Sequence, residues 1–328
     1  MIAVTGANGL LGSFIVKKFA EKSIPVAAIV RRNSAIDLGL NYAERISWRQ
    51  ADILNVIALT EALEGVGVVI HTAAAVSFNP RQSKKVFEVN VEGTRNVVDV
   101  CLALGIPKII HVSSIAALGR QKGTLTVDEE SKWIDNTAGS YYAESKYQAE
   151  AEIFRGQEEG LSVSMVIPSA ILGPSDWTKS SSQVFRYVWR RGSFYTEGTF
   201  NYVDVRDVAD MIFELFQGDY AGQKFIATAG STSLKNLLEE IALRFNKKAP
   251  SIKLNGFWVW TISRLEAIRS LLLGTEPLIT RESAKFALES FQYSNQKAKD
   301  VLRFKFRTIE ETLDWCCTEY LHNINTKK

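Results

Sequence analysis

Through the first half of the chain, short apolar runs alternate with stretches whose apolar residues recur at helical spacing. Residues 2–5, 24–30, 46–51, 68–72 and 108–112 read as strands, and residues 10–20, 56–63 and 86–104 as helices between them. The spacing predicts a long helix over 141–158 and a sixth strand over 162–167. Strands alternating with helices predict an α/β fold, a doubly wound parallel sheet of Rossmann type with helices on both faces. After Pro168 the alternation becomes irregular. Gly173-Pro174 marks a turn and Ser180-Ser181-Ser182 a polar loop, while residues 223–227 read as a late strand and 234–245 as a helix. The expectation is a nucleotide-binding domain over residues 1–168 and a smaller, mostly helical substrate lobe over 169–328, with 223–227 returning to the main sheet.

The first strand breaks at once into Gly6, Gly9 and Gly12 before an apolar-faced helix. Strand, glycine turn and helix, in that order, are the context in which a glycine motif implies dinucleotide binding. A side chain at Gly6 or Gly9 would hold the backbone off a pyrophosphate, and one at Gly12 would push the helix off its strand. The helix N-terminus then offers N–H groups and a partial positive charge to phosphates.

Composition narrows the classes. With 328 residues, 46% hydrophobic and 23% charged, the chain suits one large α/β domain with an appended lobe. A net charge of +3, with the basic residues scattered, argues against nucleic acid as a partner. Cys101, Cys316 and Cys317 have neither disulfide nor metal-ligand spacing and suit a reducing, cytoplasmic setting. His71 and His111 close two strands, where bonded structural histidines are expected rather than metal ligands. The first strand starts too early for a signal peptide. The apolar stretch 257–273 is interrupted by Arg264, Glu266 and Arg269, so it reads as an amphipathic helix packed on the protein rather than a membrane span.

The second strand ends in Arg31-Arg32, where a free ribose 2′-hydroxyl would call for a carboxylate. A guanidinium fork suits a 2′-phosphate, which favours NADP(H), with NAD(H) the alternative. Asp52, after the third strand, is placed to line an adenine pocket. Tyr142 and Lys146 lie four apart in the predicted helix, hence on one face. A phenol near pKa 10 is a poor acid or base at neutral pH, and a nearby ammonium lowers that value. Together they suit proton exchange in a hydroxyl–carbonyl interconversion. Ser113-Ser114 ends the fifth strand, where open α/β sheets place ligands, and Asn90 offers an amide in the helix after the fourth.

Glycine turn, strand-end serine and Tyr-x-x-x-Lys together resemble the extended short-chain dehydrogenase/reductase family. The segments carrying the likeness are Thr5-Gly-Ala-Asn-Gly-Leu-Leu-Gly12, His71-Thr-Ala-Ala74, Asn90-Val-Glu-Gly-Thr94, Ser113-Ser114, Tyr142 to Lys146, Pro168 to Pro174 and Tyr202 to Ala209. The likeness is close over residues 1–175 and looser beyond. It implies Tyr142 as catalytic acid/base, Lys146 lowering its pKa and binding the nicotinamide ribose, Ser114 (or Ser113) orienting the substrate oxygen, and Asn90 completing a proton relay. For the cofactor it implies Thr5, Gly6, Asn8, Gly9, Leu10 and Gly12 around the phosphates. Arg31, Arg32, Asp52 and Ile53 would sit at the adenosine end, and Thr72, Ala73, Ala74, Tyr142, Lys146 and Pro168 nearer the nicotinamide.

Within the family the chain is most similar to the dihydroflavonol-reductase and 3β-hydroxysteroid-dehydrogenase branch. Its Arg31-Arg32 departs from the acid that sugar epimerases keep, and Ile115-Ala116 supply no carboxylate of the kind sugar 4,6-dehydratases need. The expectation is an NADP(H)-dependent oxidoreductase, with a nucleotide-sugar epimerase or a non-catalytic NADP(H) sensor as rivals. Phe257, Trp258, Trp260 and Leu271 to Leu273 point to a bulky apolar or aromatic small-molecule substrate. The family implies a homodimer formed through the helices carrying Asn90 and Tyr142.

Overall fold

The computed structural model describes residues 1–32, 43–120, 126–133, 140–177, 180–273 and 291–326. Strand β1 (Ile2–Thr5) leads into α1 (Leu10–Glu21), β2 (Val26–Val30), β3 (Ile46–Gln50), α2 (Val56–Leu63) and β4 (Val68–His71). The stretch predicted as one helix over 86–104 is three joined pieces: α3 (Ser83–Phe87), a π-helical turn (Glu88–Glu92) and α4 (Gly93–Ala103). Then come β5 (Lys108–Val112), the two-residue β6 (Thr126–Val127), α5 (Tyr141–Glu158), β7 (Ser162–Pro168) and β8 (Ala170–Leu172). The second half adds α6 (Gln183–Trp189), β9 (Phe194–Tyr195), β10 (Thr199–Asp204), α7 (Val205–Gln217), β11 (Lys224–Ala227), β12 (Gly230–Ser233) and α8 (Leu234–Arg244). Ser180–Ser182 is a 3₁₀ turn running into α6 rather than a loop.

Seven strands form one sheet in the order β11-β7-β5-β4-β1-β2-β3, with every pair parallel. Strand alternation assigns its two faces. Ile2, Val4, Ala28, Ile70 and Ile110 point into a core shared with α1 and α7, whereas Ala3, Ala27, Val69, Ile109 and Val163 face α2, α4 and α5. In α1 the buried positions Leu11, Ile15, Val16 and Phe19 supply the matching stripe. The segment returning to this sheet is therefore α7 together with β11. Beyond the sheet, β8, β10 and β12 make a small mixed sheet over a third core that includes Leu237, Ile241 and Leu313.

Strand order reverses between β1 and β4, the switch point at which such sheets open a crevice at their carboxyl ends. No helix among the described residues is long and apolar enough to cross a membrane. The helix Gly256–Leu273 exists, but its aromatics do not pack inward. Val259 and Ser263 are buried one turn apart, while Phe257, Trp258 and Trp260 are exposed. The side chains of Leu271 to Leu273 lie outside the described residues.

Candidate active site

A groove of about 360 Å³ fills the switch-point crevice. Gly6, Asn8 and Gly9 from the first turn, Arg31, Asp52, Ile53, Thr72, Ala73 and Ala74 from the sequence expectation all line it. Gly6 has a φ of +68°, and a Cβ there would meet Ala73 Cα at 2.9 Å, so only glycine fits the turn. A Cβ on Gly12 would sit 2.1 Å from the carbonyl oxygen of Gly6. Its lack of a side chain thus lets α1 start hard against the turn, rather than against the strand itself. Gly9 caps α1 without a side-chain bond, and no acid lies in the first helical turn. That donor set fits the phosphates of a dinucleotide, with no carboxylate to repel them.

The remaining expected contacts fall outside the groove wall. Thr5 is fully buried and braces it: Thr72 N (3.1 Å) and Ala73 N (3.2 Å) donate to Thr5 Oγ1, while Thr72 Oγ1 donates to Thr5 O (2.6 Å). Leu10 packs towards Gly173, Arg32 is exposed away from the wall, and buried Pro168 pairs with Ala227 in the sheet. Asp52 Oδ1 accepts from Leu54 N at 2.9 Å, so one of its oxygens closes its own turn. Ser77, Gln82 and Lys85 also line the groove. They come from the β4–α3 connection and α3, whose path no motif announces.

Behind the groove runs a buried polar chain. Thr5 Oγ1 already accepts twice, so it donates to His71 Nδ1 (2.8 Å); His71 Nε2–H then donates to Thr94 Oγ1 (3.0 Å), which donates to Asn90 O (2.6 Å). The network assigns the neutral Nε2–H tautomer. Burial, helped by the Lys146 charge, pushes His71 down to about 3. His111 departs from expectation. Its ring lies tilted 5.3 Å from that of His71, buried, and neither ring nitrogen has a hydrogen-bond partner among the described residues. Burial first, then Lys146 and His71, hold it well below the usual histidine value.

Tyr142 and Lys146 open α5, which Ser140 caps by accepting from Ala143 N at 3.0 Å. The half-buried Tyr142 ring stands edge-on to Phe78 at 5.6 Å. Lys146 is buried and donates to Val112 O at 2.9 Å, at the end of β5. Burial lowers its pKa to about 8, with Glu150 acting in the opposite direction.

The two serines separate. Ser113 is buried and donates to Glu150 Oε1, whereas half-buried Ser114 caps the next turn by accepting from Ala116 N at 3.2 Å. Asn90 uses its whole amide as a brace. Its Oδ1 accepts from Ala75 N (2.7 Å), and its Nδ2 donates to Ala75 O (3.0 Å) and Ser145 Oγ (2.9 Å). It therefore ties the groove loop to α5. Glu150 was missed, although its place one helical turn beyond Lys146 was a legible signal.

A second cavity of about 310 Å³ begins at Ile115, directly after Ser114. Ala170, Phe200, Leu234, Phe291 and Tyr293 give it a mainly apolar wall, and Arg120 lies 5.6 Å from the Phe291 ring centre. Asn90 joins this group to the groove through Ala75, and Ile115 joins it to the apolar cavity. Phe257, Trp258 and Trp260, expected at a substrate pocket, line neither.

The family model for the NAD dependent epimerase/dehydratase family matches residues 2–226. A candidate dihydroflavonol 4-reductase of Synechocystis is 28% identical, covering 94% of this chain and 91% of its own. Cinnamoyl-CoA reductase 1 of Petunia hybrida is 26% identical over 95% and 90%. Among solved structures, gox2253 superposes with a TM-score of 0.83 at 27% identity over 98% of both chains. The UDP-glucose 4-epimerase of Thermotoga maritima shares the fold, with a TM-score of 0.79 at 18% identity over 98% of this chain and 99% of that one. The chain belongs to the NAD dependent epimerase/dehydratase family, within the extended short-chain dehydrogenases/reductases, and is an NAD(P)-dependent oxidoreductase.

Proposed function

We propose that the protein interconverts a carbonyl and a secondary alcohol on a small apolar or aromatic substrate, using NADP(H). The observation that carries this reading is a buried Lys146 ammonium, one helical turn from Tyr142 and bonded to Val112 O where β5 ends, at the sheet edge that also carries the glycine-lined groove, with an apolar cavity beginning at Ile115. NADPH, when bound, supplies the hydride. Ser114 orients the carbonyl oxygen, Tyr142 protonates it, and the Lys146 charge eases loss of the phenolic proton. Ser113 is spoken for by Glu150, which leaves Ser114 as the substrate serine. Asn90 holds the groove loop and α5 in register. Arg31, on the groove wall, supports NADP(H) over NAD(H), since a guanidinium suits a 2′-phosphate and repels nothing there.

The apolar wall of the second cavity supports an apolar substrate, in keeping with the reductases named above. Exposed Tyr141, Tyr147 and Phe154 on α5 support a homodimer through that helix. Three buried thiols, each pushed up by burial, support a reducing, cytoplasmic setting.

Tyr142→Phe tests the reading. Loss of the general acid lowers NADPH-dependent carbonyl reduction by about 10²- to 10⁴-fold, while NADPH affinity, followed by its fluorescence, changes little. A variant with wild-type turnover overturns the assignment. A purified protein that keeps NAD through dialysis and interconverts UDP-sugars without net cofactor use would establish the epimerase instead.

A further inference from the structure

We propose that Glu150 is a positioning residue for this reaction: its buried carboxylate, fixed by Ser113 and one helical turn beyond Lys146, keeps Lys146 in the ammonium form that acts on Tyr142. The inference rests on the acid–base reading of Tyr142. Residues 142, 146 and 150 follow one another at four-residue intervals along α5, so they share a face. Lys146 is 3% exposed and Glu150 5%. A buried ammonium is costly without an opposite charge, and the bonded partner of Lys146, the Val112 carbonyl, is neutral.

The surroundings leave that task to Glu150. From β4 and β5, His71 and His111 face the ammonium as neutral rings. Lys224 of β11 bears on Glu150 as a second cation. Charges of the packed helix α4 are engaged elsewhere: Arg95 pairs with Glu92 and Glu152, and Asp99 with Arg155, towards solvent. Glu150 is the charge that raises the Lys146 pKa against burial. Burial raises the Glu150 carboxyl in turn, and the Ser113 hydroxyl, Lys224 and Lys146 draw it back down. The strand-end Ser-Ser pair thus divides its labour, Ser113 holding the carboxylate and Ser114 capping the next turn.

Glu150→Gln removes the charge and keeps the shape and the acceptor for Ser113. The readout is the ultraviolet difference titration of the Tyr142 phenolate in ligand-free protein, each form compared with its own Tyr142→Phe partner. The midpoint should rise by about one pH unit in Glu150→Gln, which is tenfold less phenolate at a given pH. The pH profile of alcohol oxidation should move up by the same amount. A folded Glu150→Gln with an unmoved midpoint overturns the proposal, whatever its turnover, because a merely structural carboxylate would lower activity at every pH alike. If that variant does not fold, Ser113→Ala takes its place: loss of the donated hydrogen bond should shift the midpoint in the same upward sense, and no shift overturns the proposal. Absence of reductase activity in the wild type would bear on the proposed function alone, since the titration needs neither substrate nor cofactor.

Discussion

Acid should destabilise this fold through His71, and the size of the effect follows from its burial. Free histidine titrates near 6.5, whereas His71 in the folded chain is held to about 3. Below pH 6.5 the unfolded chain takes up a proton that the folded chain refuses, so stability falls as pH falls, continuing until about pH 3. Each pH unit in that window removes about 1.4 kcal/mol. Between pH 7 and pH 5 the loss from this one side chain is therefore about 2 kcal/mol. Other groups titrate in the same range. Asp207, raised to about 6 by burial, contributes with the opposite sign, because its folded form takes up the proton first.

A comparison with His71→Asn isolates the histidine term. The variant loses the bonds to Thr5 and Thr94 and should be less stable than wild type at pH 7. It lacks the proton penalty, so the gap between the two should close by about 2 kcal/mol at pH 5. Urea denaturation of both proteins at the two pH values measures it. A gap that stays constant would refute the claim that the ring is neutral and shielded.

Two further outcomes probe the groove. Gly12→Ala forces a methyl against the Gly6 carbonyl, so it should cost about 1–3 kcal/mol in urea melts and weaken NADPH binding; near-wild-type behaviour in both would undo the close-packing argument. Arg31→Ala should lower NADPH affinity by about ten- to a hundredfold, as expected for a lost charge-assisted contact, and leave NADH affinity nearly unchanged; equal losses for both cofactors would count against a 2′-phosphate contact.

Much of this architecture was written in local pattern. Spacing within each segment marked it as strand or helix, and the alternation of strands with helices through residue 112 marked a parallel sheet. Glycines 6, 9 and 12 marked the groove because the steric demand for a missing Cβ is a property of the turn itself. The Tyr142–Lys146 pairing was readable for the same reason, since a helix fixes which residues are neighbours. Other features depended on which distant segments meet. The two histidines were alike at the ends of their strands, yet β1 and α4 supply His71 with Thr5 and Thr94, and none of the described residues supplies His111. Ser113 and Ser114 were interchangeable until α5 brought Glu150 against one of them. The sequence left the partners of the Asn90 amide open, and the π-helical turn aims it at Ala75 and Ser145. The aromatic residues of 257–260 looked like pocket lining, and their helix turns them outward while the apolar cavity is walled by Ile115, Phe200 and Phe291. Local spacing thus fixed the elements and the cofactor turn, because those obey the geometry of a single segment. Side-chain duties at the site were decided by tertiary packing, because each hydrogen bond or charge there needs a partner far away in the chain.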